Sequence, residues 1–186
     1  MRFTLIRHGE TEDPRPGLEA IGHDDPALTT LGKRQAGAMA AVLRSIVERG
    51  ATVEQVYTSP LRAATDTADA IASGLSLDRP LVAPELITLT PEVLPKDGAI
   101  DALESIQSRA WDLIESLKQR HDQASTLVLV THELTVRALV CRALSMPLTD
   151  LLRFRLDPAS MTTIDYRTQP RERTLIAYLN ETCHLE

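Results

Sequence analysis

The sequence predicts an α/β fold, a three-layer α/β/α sandwich around a largely parallel central sheet. Three observations carry this. Short apolar, β-branched runs alternate with longer segments whose apolar residues recur at a helical period. One of these runs, Ser125–Val130, has no solvent-facing alternation, as expected of a central parallel strand covered on both faces. No repeat, linker or low-complexity stretch divides the 186 residues, so residues 1–186 read as a single domain with one sizeable core.

Composition removes several function classes. The formal net charge is −6 and the sequence pI about 5.4, which leaves no basic footprint for nucleic acid. Any anion-binding site is therefore a local positive pocket in an acidic body. No apolar run approaches the ~20 residues that a membrane span needs. Met1-Arg2-Phe3-Thr4 is not followed by the apolar segment and cleavage site of a signal peptide, and we expect a cytoplasmic protein. The two cysteines, Cys141 and Cys183, fall in no metal-ligand spacing and read as a buried thiol and a tail thiol in a reducing compartment.

Arg2–Ile6 reads as the first strand, delivering Arg7 and His8 to its C-terminal end. In open α/β sheets that edge is where ligands bind. A guanidinium beside an imidazole, followed by Gly9, suits an anion approaching the backbone closely. Residues 12–27 carry two glycines and three prolines and read as a loop, with His23 an exposed loop histidine. Thr29 or Thr30 caps a helix with the stripe Leu31, Met39, Val42, Leu43 and Ile46, ended by Gly50.

Val53–Thr58 is the second strand. Ser59-Pro60 turns into a second helix, proline being tolerated in a first turn. Arg62 then sits at a strand-to-helix junction, a setting that favours anions. Pro80–Leu86 reads as a third strand carrying Glu85 near its end, followed by a proline-rich cap at about 87–97. A long amphipathic helix runs from about Ile100 to Arg120, with Trp111 a packing residue. After the Ser125–Val130 strand, His132 stands at a strand end and a helix start, repeating the context of His8. Met146-Pro147 breaks that helix. Arg173–Leu179 is the last strand candidate, and His184 lies in a tail.

Arg7-His8-Gly9-Glu10-Thr11 after an N-terminal strand resembles the signature of the histidine phosphatase superfamily, the phosphoglycerate-mutase-like group. Asp24–Gly32, Ser59–Ala68 and the Val130-Thr131-His132 strand end resemble further elements in family order, and Phe154–Ile164 resembles the family's strand after the second histidine. The resemblance implies a phosphatase that hydrolyses phosphomonoesters through a phosphohistidine on His8. No carboxylate cluster with metal spacing appears, so no metal is expected, and no cofactor. The resemblance also implies that Arg7, Arg62 and His132 bind the phosphoryl group together with His8. Phosphoryl transfer depends mainly on positioning and on charge stabilisation at the equatorial oxygens, which such cations provide. Glu85 best matches the family's proton donor, with Glu92, Asp97 and Asp101 as alternatives.

Three departures stand out. Glu12-Asp13-Pro14 replaces a pattern that carries an asparagine in many relatives, and Arg62 lies five rather than four positions before Thr67. Glu85 and His132 are only 47 positions apart (132 − 85), whereas phosphoglycerate mutases carry a longer lid there. A short cap leaves the pocket open to water and favours hydrolysis. The substrate expected is a phosphorylated small molecule or a phosphoprotein. The other readings are a phosphohistidine protein phosphatase, a phosphoglycerate-type mutase and a non-catalytic phosphate-binding module. No feature of the sequence sets an oligomeric state.

Overall fold

A computed structural model describes residues 1–12, 25–88, 99–167 and 173–185. Its elements are β1 (Arg2–Arg7), α1 (Thr30–Glu48), β2 (Val53–Thr58), α2 (Arg62–Leu75), β3 (Leu81–Val82), α3 (Ala99–Arg120), β4 (Thr126–Thr131), α4 (Glu133–Ala143), β5 (Met161–Arg167) and β6 (Arg173–Glu181). Short 3₁₀ turns cover Pro84–Leu86, Leu148–Arg153 and Cys183–Leu185.

The sheet order is β3-β2-β4-β1-β5-β6. β3, β2, β4 and β1 pair in parallel, β5 is antiparallel to β1, and β6 is antiparallel to β5. All six residues of β4 are buried, in keeping with a strand between two parallel neighbours and beneath helices on both faces.

Alternation along the central strands builds the two interfaces. Phe3, Leu5, Leu127 and Leu129 point to one face, where they meet Ala110, Leu113, Ile114 and Leu117 of α3 and Val136, Leu139 and Val140 of α4. Ile6, Val56, Val128 and Val130 point to the other, against Met39, Ala40 and Leu43 of α1 and Ala64, Ala68 and Ile71 of α2. The α/β/α layering expected from the sequence is thus present. Among the described residues no helix is long and apolar enough to cross a membrane.

Several boundaries differ from the sequence reading. The third strand is only Leu81–Val82. Pro84 fixes the backbone of a 3₁₀ turn, so Glu85 sits on that turn rather than in the sheet. Leu31 is exposed, and Gly32 takes the buried place in the first turn of α1. Phe154–Ser160 is not strand, and β5 begins at Met161. Trp111 packs against the core beside Tyr166, with ring centroids 6.0 Å apart. Cys141 is buried and Cys183 exposed, and neither forms a disulfide among the described residues. His23, most of the 87–97 cap, and the alternatives Glu92 and Asp97 lie outside the described residues.

Candidate active site

The register of the sheet assembles the site. Arg7 on β1 is level with Thr131 on β4, and Thr58 on β2 is level with Val130. The next residues along these three adjacent strands, His8, His132 and Ser59, therefore converge at one C-terminal edge. The backbone extends the pairing beyond the strands: His8 N–H donates to the Thr131 carbonyl (3.0 Å) and Ser59 N–H to the Val130 carbonyl (2.9 Å). The His8 and His132 ring centroids are 5.1 Å apart. Nε2 of His132 lies 2.7 Å from Ser59 Oγ.

The tautomer of His8 follows from its partner. Nδ1 lies 2.8 Å from the carbonyl oxygen of Gly9, which can only accept. Nδ1 must carry the hydrogen, so Nε2 keeps its lone pair. Burial pushes the imidazole down to about 4, and Arg7 adds to the effect, so the ring is neutral near pH 7. Burial, His8 and Arg7 hold His132 well below the ordinary histidine value. In the unliganded protein His132 is thus a neutral hydrogen-bonding group. A dianion beside it would favour its charged form.

The Gly9 turn is tightly held. Gly9 N–H donates to Thr67 Oγ1 on α2 at 3.1 Å. A Cβ on Gly9 would lie 2.5 Å from the Gly32 carbonyl oxygen, and one on Gly32 would lie 2.1 Å from that of Glu10. Both glycines are required by close backbone approach. Thr29, the N-cap of α1, accepts from Gly32 N–H and donates to the Glu10 carboxylate (2.8 Å), tying the signature turn to the helix.

Arg7 is mostly buried. Its Nη1 donates to the Leu156 carbonyl (2.5 Å) and lies 3.1 Å from Oε2 of Glu133. The other oxygen of Glu133 pairs with Arg137 Nη2 at 2.6 Å. Burial lowers the Arg7 guanidinium from its usual value, and Glu133 opposes that effect. Nε of Arg7 is buried without a hydrogen-bond partner among the described residues. An unsatisfied donor in such a place costs about 1–3 kcal/mol, which an incoming oxyanion would offset.

Glu85 stands at the same edge. Its turn is fastened to β2 and β4, because Ala83 N–H donates to the Thr58 carbonyl (2.8 Å) and Thr131 Oγ1 to the Leu86 carbonyl (2.6 Å). Arg109 of α3 donates to the Ile87 carbonyl (2.6 Å), and its charge interacts with Glu85.

Arg62 is placed differently. Its backbone N–H opens α2 and donates to both carboxylate oxygens of Asp25, at 2.8 and 2.7 Å. Its side chain is 61% exposed, with Nε 3.8 Å from Asp66. The structure therefore brings together Arg7, His8 and His132, sets Glu85 on an adjoining turn, and turns Arg62 to solvent.

The sequence reading assigned no role to Ser59 or Glu133. Both carry a faint signal: Ser59 directly follows a strand, and Glu133 follows a strand-end histidine four positions before Arg137.

Comparison with known proteins shows the family and the fold. The family described as histidine phosphatase superfamily (branch 1) matches residues 3–90 and 88–178. The chain is 27% identical to phosphoserine phosphatase 1 of Hydrogenobacter thermophilus, over all of this chain and 94% of that one. It is 29% identical to a 2,3-bisphosphoglycerate-dependent phosphoglycerate mutase of Thermoplasma acidophilum, over 87% and 85% of the two chains. The fold superposes on an Entamoeba histolytica phosphoserine phosphatase solved with 3-phosphoglyceric acid, with a TM-score of 0.78, 25% identity, and coverage of 100% of this chain and 99% of that one.

Proposed function

The chain belongs to the histidine phosphatase superfamily (branch 1), and we propose that it hydrolyses small phosphomonoesters through a phosphohistidine on His8. The observation that carries the reading is the hydrogen bond from His8 Nδ1 to the Gly9 carbonyl, which leaves an unprotonated Nε2 on a neutral, buried ring.

In the first step the Nε2 lone pair forms an N–P bond as the ester P–O bond breaks, and the leaving oxygen takes a proton from the Glu85 carboxylic acid. In the second, water attacks phosphorus, the N–P bond breaks back to His8, and Glu85 accepts the water's proton. Arg7 holds the equatorial oxygens, aided by its unpartnered Nε. His132 and Ser59 add hydrogen bonds from the neighbouring strand ends.

Arg62 supplies a second guanidinium by leaving Asp66. An exposed pair with Nε 3.8 Å from the carboxylate opposes that movement weakly. Positive charge on arginine and histidine does the work a metal would do elsewhere, so the reaction proceeds without one. The names of the relatives, a phosphoserine phosphatase and a phosphoglycerate mutase, support a small phosphorylated metabolite as substrate. We place the reaction in the cytoplasm, a reducing compartment in keeping with two cysteines that form no disulfide among the described residues. The test is turnover of p-nitrophenyl phosphate in the presence of EDTA. Activity is expected for the native chain and none for His8→Ala.

A further inference from the structure

Asn180 lies on β6, far in sequence from every group above, in a left-handed backbone conformation (φ 53°). The register explains its placement. Met161 of β5 pairs with Glu181, but Thr163 pairs with Tyr178, so two steps on β5 meet three on β6. That is a β-bulge, a device that re-aims a side chain. Asn180 N–H is held by Thr162 Oγ1 at 3.3 Å.

The bulge turns the Asn180 amide onto Asp157. Oδ1 accepts from the Asp157 backbone N–H at 2.7 Å, and Nδ2 donates to Asp157 Oδ2 at 2.9 Å. An N–H can only donate and a carboxylate only accept, so this amide orientation alone satisfies both. The Asp157 N–H belongs to the same peptide group as the Leu156 carbonyl, which accepts from Arg7 Nη1 at 2.5 Å. One rigid peptide plane thus has Asn180 at its N–H and Arg7 at its oxygen. Each hydrogen bond polarises the peptide in the sense that strengthens the other.

We propose that Asn180 is a positioning residue for Arg7, setting the plane of the 156–157 peptide so that its carbonyl fixes the guanidinium toward the phosphoryl site. The inference rests on the phosphate-holding role given to Arg7 above. It adds a requirement from the outer strands of the sheet.

Asn180→Gly tests it, because glycine accepts the left-handed backbone without strain and removes only the amide. We expect inorganic phosphate to inhibit about tenfold more weakly and kcat/KM on p-nitrophenyl phosphate to fall about tenfold, the effect of a misplaced clamp. In an Arg7→Gln background the same change should cost nothing further. In NMR spectra the Arg7 Nη resonances, slowed by their hydrogen bond, should broaden in Asn180→Gly. The paired exchange Asn180→Asp with Asp157→Asn keeps the backbone N–H contact, reverses donor and acceptor in the side-chain contact, and should behave like the native chain. Native phosphate inhibition and native Arg7 resonances in Asn180→Gly would overturn the proposal. So would an equal loss in both Arg7 backgrounds, or a paired exchange as impaired as Asn180→Gly. If the native chain neither turns over nor binds phosphate, the proposed function fails, and the Arg7 resonances alone decide the role of Asn180.

Discussion

Ser59 Oγ and His132 Nε2 stand 2.7 Å apart although 73 positions separate them in the chain. Both are buried, and each follows the last residue of its strand. The contact exists because β2 and β4 are neighbours in parallel register. Ser59→Ala leaves a buried imidazole nitrogen without its partner. We expect a stability loss of about 1–3 kcal/mol by denaturant unfolding, together with a lower kcat/KM. An unchanged midpoint would show that the hydroxyl does not hold the ring.

The pH response follows from His8. With a folded value of about 4, the free enzyme's kcat/KM should stay constant in this group above pH 5 and fall as pH drops through about 4. Stability has the same sign. Between about 4 and the ordinary histidine value of 6.5, the unfolded chain binds the proton and the folded chain does not. Stability is therefore full above pH 6.5 and declines as pH falls toward 4. The slope from this group is at most about 1.4 kcal/mol per pH unit. His132 acts in the same direction. A His8→Asn variant should show a shallower decline across that window in urea titrations, and an identical slope would contradict the assignment.

Glycines 32 and 37, five positions apart on α1, should respond oppositely to alanine. A Cβ at Gly32 would lie 2.1 Å from the Glu10 carbonyl oxygen, whereas one at Gly37 meets nothing within 4 Å. Gly37→Ala should stabilise by about 0.5–1 kcal/mol through helix propensity. Gly32→Ala should destabilise by about 1–3 kcal/mol or more and displace the signature turn. Calorimetric midpoints moving the same way would refute this packing.

The role of Glu85 depends on the leaving group. An alkoxide needs a proton in the transition state, and p-nitrophenolate does not. Glu85→Gln should lower kcat/KM by about 10²-fold on an alkyl phosphate and far less on p-nitrophenyl phosphate. The comparison uses kcat/KM because dephosphorylation of His8 is common to both substrates. Equal losses on the two would assign Glu85 to binding or structure instead.

These sites were unequally legible in the sequence. β4 is evident because burial on both faces removes alternation, leaving an unbroken apolar run. Arg7, His8 and His132 follow as strand ends, since a strand's direction fixes which residue it delivers to the edge. β3 is shorter than its apolar sequence suggests, because it pairs through only two residues before Pro84 winds the chain into a turn. Leu31 fitted the helical stripe, yet the Glu10 backbone crosses that face of α1 so closely that only Gly32 can lie beneath it. Ser59, Glu133 and Asn180 were not read as site residues because their contacts depend on strand order and on a bulge. A single sequence displays neither. Arg62 was legible as a strand-to-helix residue, but the solvent-facing side chain was not, because it depends on Asp66 one turn along α2.

The covalent step at His8 Nε2 is tested most directly by an acid-free quench of the enzyme during turnover of radiolabelled substrate. Label should be bound to the native protein, lost in acid, retained in base, and absent from His8→Ala. A His8→Ala protein that still turns over substrate or still carries the adduct would contradict it.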